Sequence, residues 1–190
     1  MTTDVSLYTV DSVIILDSTG SRVLVKYSAP PHAPEDSDSL AQRPKQQVQF
    51  EKSLFQKTHK VNGDIVLFEN KTVVYKEFSD VVIYIVGGLN ENECFLFNVL
   101  QGLVGALEIV LKYSIDKKTI QENYDMVSLA VDETIDDGIV LETDPSVIAA
   151  RVSKAPTEEN SIKIDLSEEG LFNAFKFARS RVADRLQQGF

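Results

Sequence analysis

Short, continuous apolar runs fill the first half of the chain, and apolar stripes at helical spacing fill the second. Val13-Ile14-Ile15-Leu16 is a continuous apolar run, Asp17-Ser18-Thr19-Gly20-Ser21 has turn chemistry, and Val23-Leu24-Val25-Lys26-Tyr27 returns. This predicts a β-hairpin within the first 28 residues. Pro30, Pro31 and Pro34, set among small and acidic residues, predict a mobile surface loop over 28–43. Pro44 suits a first helical turn. Phe50, Leu54, Phe55 and Thr58 share one face of a helix that Asn62-Gly63 ends.

Three strand-like runs follow: Ile65-Val66-Leu67-Phe68, Thr72-Val73-Val74-Tyr75 and Val81-Val82-Ile83-Tyr84-Ile85-Val86. Their links are hairpin-short, so an antiparallel meander is expected, and continuous apolar strands fit a sheet covered on both faces. A long helix is expected over 91–112, capped by Asn90 with Glu93 three residues on. Its apolar coverage is wider than one sheet contact requires. Gly102 and Gly105 leave room for another element to approach. A further helix starts at Asp116, with Ile120, Tyr124, Val127 and Val131 inward, and ends in the carboxylates Asp132, Glu133, Asp136 and Asp137 before Gly138. Acidic groups at a helix C-terminus oppose the helix dipole, which makes a basic partner surface the expected counterweight. A short helix follows Asp144-Pro145, then a linker over 153–166 and an amphipathic helix over 167–188, with Leu171, Phe175, Val182 and Leu186 as its docking stripe.

The order ββ-α-βββ-αα makes an α+β domain over 1–152: a five-stranded antiparallel sheet with helices on both faces, plus the C-terminal helix. Net charge of −10 argues against nucleic-acid binding. The segment near the C-terminus is the exception, with Lys176, Arg179, Arg181 and Arg185 against Asp184. One cysteine, Cys94, rules out an intrachain disulfide, and its apolar followers predict a packed, inert thiol. No signal peptide is read at the N-terminus, and no run approaches the apolar length of a spanning helix, so a cytosolic chain is expected. Asn70-Lys71-Thr72 has a glycosylation pattern and is read as a turn.

Catalytic and cofactor chemistry finds little footing. His32 and His59 have no nucleophile or metal partner at useful spacing, and no phosphate-loop, dinucleotide, nucleophile-elbow or zinc motif occurs. No cofactor or metal is expected. Acid–base work by the 132–137 carboxylates is disfavoured, because adjacent helix-end acids have nothing to separate their pKa values. The reading from residues alone is an interaction module, with Phe95, Val99, Ile109 and Asp132, Glu133, Asp136 and Asp137 as its candidate partner interface.

Gly63-Asp64, Val74-Tyr75-Lys76, Val81-Val82-Ile83-Tyr84, Asn123-Tyr124-Asp125, Asp132-Glu133, Asp136, Gly138 and Glu142-Thr143-Asp144-Pro145 carry a family likeness. Over about 8–152 the chain resembles the zeta subunits of coatomer, the COPI vesicle coat, relatives of the small sigma chains of clathrin adaptors. The resemblance implies a longin-like fold and a non-enzymatic coat subunit. It would be bound to the large gamma subunit and, through it, to the rest of the heptameric coat. It further implies peripheral association with the cytosolic face of Golgi membranes and COPI vesicles, through recruitment by a small GTPase, in retrograde and intra-Golgi transport. The dileucine cargo site of sigma chains is not carried over, because Tyr113 and Ser114 stand where an apolar lining is expected. Alternatives are a longin-domain trafficking regulator, SNARE-like or GTPase-regulating, and a clathrin-adaptor small chain.

Overall fold

The computed structural model describes residues 7, 9–28, 41, 43–61, 63–112 and 114–153, all within one compact unit, Met1–Lys154. The expected loop over 28–43 is described only at Ser28, Ala41 and Arg43, and the linker over 153–166 only at Ser153. The expected C-terminal helix over 167–188, with its four stripe residues, lies outside the described residues.

The hairpin forms as β1 (Val10–Asp17) and β2 (Arg22–Tyr27), and the meander as β3 (Ile65–Phe68), β4 (Lys71–Glu77) and β5 (Val81–Gly88). All neighbours are antiparallel, and the spatial order is β2-β1-β5-β4-β3. Asn70 and Glu69 supply the two left-handed residues of the β3–β4 turn, at φ 57° and 48°.

Strand alternation sorts the buried side chains into two layers. Ile14, Leu16, Val73, Tyr75, Val82, Tyr84 and Val86 face α1 (Pro44–Thr58), which adds Phe50 and Leu54. The hydroxyls of Thr58 and Tyr84 lie 2.8 Å apart in that layer. Val13, Ile15, Val74, Val81, Ile83 and Ile85 face the other way, towards α2 (Glu93–Val110), α3 (Lys117–Glu122), α4 (Tyr124–Thr134) and α5 (Pro145–Ser153). The sheet is therefore covered on both faces, as the continuous apolar runs predict.

Several local features depart from expectation. The cap of α2 is Asn92, not Asn90: its Oδ1 accepts from Cys94 N at 2.9 Å and Phe95 N at 3.3 Å. By length and composition α2 reaches what a spanning helix needs, contrary to the sequence reading. Its Leu96, Val99, Leu100, Leu103 and Leu107 are nonetheless fully buried against the sheet and neighbouring helices, which accounts for the apolar content. Cys94 is exposed rather than packed, because the buried stripe begins at Leu96 and leaves the first turn outside.

The helix expected to run unbroken from Asp116 is split at Asn123, whose Nδ2 donates at 2.9 Å to Thr119 O, the carbonyl its own backbone N–H also reaches at 3.1 Å. α4 stops at Thr134. Ile135–Asp136 (β6) and Ile139–Val140 (β7) then pair across a two-residue loop, Asp137-Gly138, both left-handed at φ 45° and 89°. An Asp-Gly pair between apolar residues is the composition such a turn demands.

Asp17 ties the end of β1 to two other segments. Its carboxylate accepts from Thr19 N at 2.8 Å and Ser21 N at 2.9 Å, and pairs with Lys117 Nζ at 2.8 Å. Burial pushes the carboxyl up, but the Lys117 ammonium and the Thr19 and Ser21 donors outweigh it and hold Asp17 below the ordinary carboxylate range. On the opposite layer Glu51, 2% exposed, accepts from Arg22 Nη2 at 2.7 Å and the Tyr27 hydroxyl at 2.8 Å.

Candidate partner interface

The candidate residues on α2 divide by burial. Val99 is fully buried and serves the core, whereas Phe95 is 39% exposed and Ile109 46%. Fourteen residues separate Phe95 from Ile109, about 21 Å along a helix and nearly the same face. Gly102 and Gly105 lie between them on that face. An added Cβ on Gly102 would sit 2.4 Å from Thr143 O, and one on Gly105 2.8 Å from Pro145 Cγ. The approach anticipated at the two glycines is thus made by the segment leading into α5. Leu141 on that segment and Val147 on α5 are also exposed. α2, α5 and the segment between β7 and α5 therefore carry four uncovered apolar side chains. Leu141 and Val147 were not singled out from the sequence, because neither falls on a periodic stripe.

The four carboxylates separate into two pairs, since only Asp132 and Glu133 belong to α4. Asp132 pairs with Lys26 on β2, and Glu133 lies 3.3 Å from Arg151 on α5. Arg151 also reaches Glu142 at 3.7 Å. The counterweight to the helix dipole is therefore supplied within the chain. Glu142 also takes Asp144 N at 3.0 Å and Thr143 N at 2.9 Å, and these backbone donors hold its carboxyl below the usual range. Asp144 caps α5 by accepting from Ser146 N at 2.8 Å. The Glu-Thr-Asp-Pro motif thus fixes the segment that lies over the α2 glycines.

Asp136 and Asp137 are exposed, and among the described residues no ion pair engages them. They border a cleft of about 610 Å³ with Val13, Lys26, Ser28 and Asp132. The hairpin tip is anchored, because Gly138 O accepts from Thr9 N at 3.0 Å and Val10 N at 3.1 Å. Among the described residues no group of His, Cys, Asp or Glu side chains is gathered to hold a metal ion.

The clathrin adaptor complex small chain family matches residues 9–159. Coatomer subunit zeta of Saccharomyces cerevisiae is 49% identical over 185 residues, 97% of each chain. The chain belongs to the coatomer zeta subunits of that family. Coatomer subunit zeta-2 of Arabidopsis thaliana is 38% identical over 93% of this chain and 94% of its own. Coatomer subunit zeta-1 of Homo sapiens is 39% identical over 78% of each. A chain in a homology model of the full-length AP-3 complex in a stretched open conformation shares the fold. It covers 90% of this chain and 98% of its own at 18% identity and a TM-score of 0.50. The longin-like α+β architecture and membership of a COPI coat follow.

Proposed function

We propose that this chain pairs with the large gamma subunit of the COPI coat, catalyses no reaction, and serves retrograde Golgi-to-ER and intra-Golgi transport. The assembled coat, drawn to the cytosolic face of Golgi membranes by a small GTPase, would carry it there. The observation that carries the reading is the likeness to a yeast coatomer zeta subunit along 97% of both chains.

The exposed features support it. Phe95, Ile109, Leu141 and Val147 are exposed apolar side chains, and Asp136 and Asp137, without an ion pair among the described residues, border a cleft. A large partner with apolar and basic side chains would satisfy both, as obligate interfaces do. Buried Val99 would hold the α2 backbone that presents Phe95.

Co-expression with a gamma subunit tests the pairing. The wild-type chain is expected to co-purify at one to one. Phe95→Asp with Ile109→Asp should abolish co-purification while leaving the chain's own melting within a degree or two of wild type. A wild-type chain that never retains a large coat subunit would sink the function. Retention by the double variant would move the interface elsewhere.

A further inference from the structure

We propose that the outward ridge of α1 is a basic contact surface for the anionic phospholipid headgroups of the membrane the coat covers. On a chain of net charge −10, the stretch 43–60 holds Arg43, Lys45, Lys52, Lys57 and Lys60 against a single carboxylate, Glu51. That carboxylate is buried and bound to Arg22. α1 itself therefore turns no acid outward, and Glu77 lies 3.6 Å from His59 at its C-terminal cap. Among the described residues no ion pair engages Lys45, Lys52 or Lys60. Among the described residues Lys57 reaches the Leu67 carbonyl, at 3.1 Å, and the Phe68 ring.

Helix geometry aligns the charges. Phe50 and Leu54 point to the sheet, and Lys45, Gln49, Lys52 and Gln56 fall on the diametrically opposite line. Lys45 and Lys52 are about 10 Å apart along it. Helix stability does not explain this choice of residues. Lys45 sits in the first turn, where the dipole disfavours a cation, and no acidic residue occupies that turn.

The shape selects the occupant. A peptide partner is held in a groove with pockets, but this ridge is convex, with Val48 its one exposed large apolar side chain. Two clefts among the described residues are lined by Asp132, Asp136 and Asp137 with their neighbours, and by Val61, Gly63, Asp64, Lys76 and Glu77. Point charges on a smooth ridge suit a diffuse anionic plane. The carboxylates of α4 and β6 belong to the other face of the sheet. Stacked layers are about 10 Å apart, so those carboxylates lie beyond the ~8 Å screening length at physiological salt. The proposal rests on the coat reading only for the nearness of a membrane.

The test is flotation of the full-length chain with vesicles of phosphatidylcholine alone or with about one third phosphatidylserine, at low and physiological salt. The variant is Lys45→Gln, Lys52→Gln and Lys60→Asn together. Asparagine is chosen because Lys60 is left-handed at φ 65°. Wild type should bind only the anionic vesicles, and less as salt rises. Each lysine contributes roughly five-fold near such a surface, so the triple variant should bind about 100-fold more weakly. The variant should still melt like wild type and still co-purify with the coat, which separates this surface from the pairing interface. Wild type that ignores anionic vesicles overturns the proposal. Binding that survives the triple substitution also overturns it, and assigns the contact to the basic segment near the C-terminus. Ridge lysines protected from acetylation in assembled, membrane-free coat would overturn it in favour of an acidic protein surface.

Discussion

Replacing Gly102 with alanine should destabilise the chain, although alanine is the better helix former. The exchange lowers the intrinsic free energy of a helix by about 1 kcal/mol. Against this, the new Cβ would meet Thr143 O at 2.4 Å and two further Thr143 backbone atoms at 3.0 Å. Relief to an ordinary contact near 3.5 Å needs a shift of about 1 Å in that backbone. The segment is held on both sides: Glu142 binds the amides of Thr143 and Asp144, and Asp144 caps α5. Overpacking against a constrained backbone costs about 2–3 kcal/mol, so the net loss is about 1–2 kcal/mol. For a domain of this size that lowers Tm by about 3–6 °C. Differential scanning calorimetry of wild type and G102A reads the difference directly. An unchanged or higher melting temperature would refute the reasoning, because propensity would then have won and the 141–145 segment would have to be free to move.

Glu51→Ala strips Arg22 and the Tyr27 hydroxyl of their shared acceptor. Because Arg22 is 39% exposed, the loss should be about 2 kcal/mol, below that of a fully buried pair. Urea unfolding should show it as a midpoint lowered by about 1 M. Asp17 is held below the ordinary carboxylate range in the folded chain, so its contribution is complete above the unfolded pKa near ~3.9 and drains away as pH falls below it. Asp17→Asn should therefore be less stable than wild type at pH 7, with the gap shrinking steadily as pH falls below ~3.9; a gap independent of pH would contradict this. Gly138→Ala places a Cβ 2.8 Å from Val10 O on a residue at φ 89° and should cost about 1–3 kcal/mol. Faster hydrogen exchange at the Thr9 and Val10 amides would mark the loosened anchor.

Much of the architecture was legible because the relevant signals are local. β-branched runs with turn residues between them gave both antiparallel groups, and the glycines of α2 announced a close approach. The misreadings have local causes too. Asp136 and Asp137 extend a helical spacing begun at Asp132, so the Asp-Gly turn was hidden inside an apparent helix end. Asn90 and Asn92 are chemically equal caps, and only the Glu91 N to Gly88 O turn decides between them. The placement of β1 beside β5 is a non-local pairing that no window on the sequence contains. Of the candidate interface, Phe95 and Ile109 stand out and Val99 does not, because a continuous apolar helix does not reveal where its covered sector ends. The α1 lysines carried a signal, the lack of any acid but Glu51, that a search for apolar and catalytic patterns passes over.

The hydrogen bonds from Thr9 and Val10 to Gly138 set an order of events during synthesis. β1 leaves the ribosome first, yet its inner neighbour, β5, is some seventy residues behind it, and the carbonyl that fixes its leading end arrives later still. Until β5 has emerged, the oldest part of the domain is held by the β2 hairpin alone, and an isolated hairpin is marginal in water. The nascent chain thus carries Val13-Ile14-Ile15-Leu16 without its inner neighbour until β5 follows. The interval in which a chaperone is needed is written into the strand order rather than into any single residue.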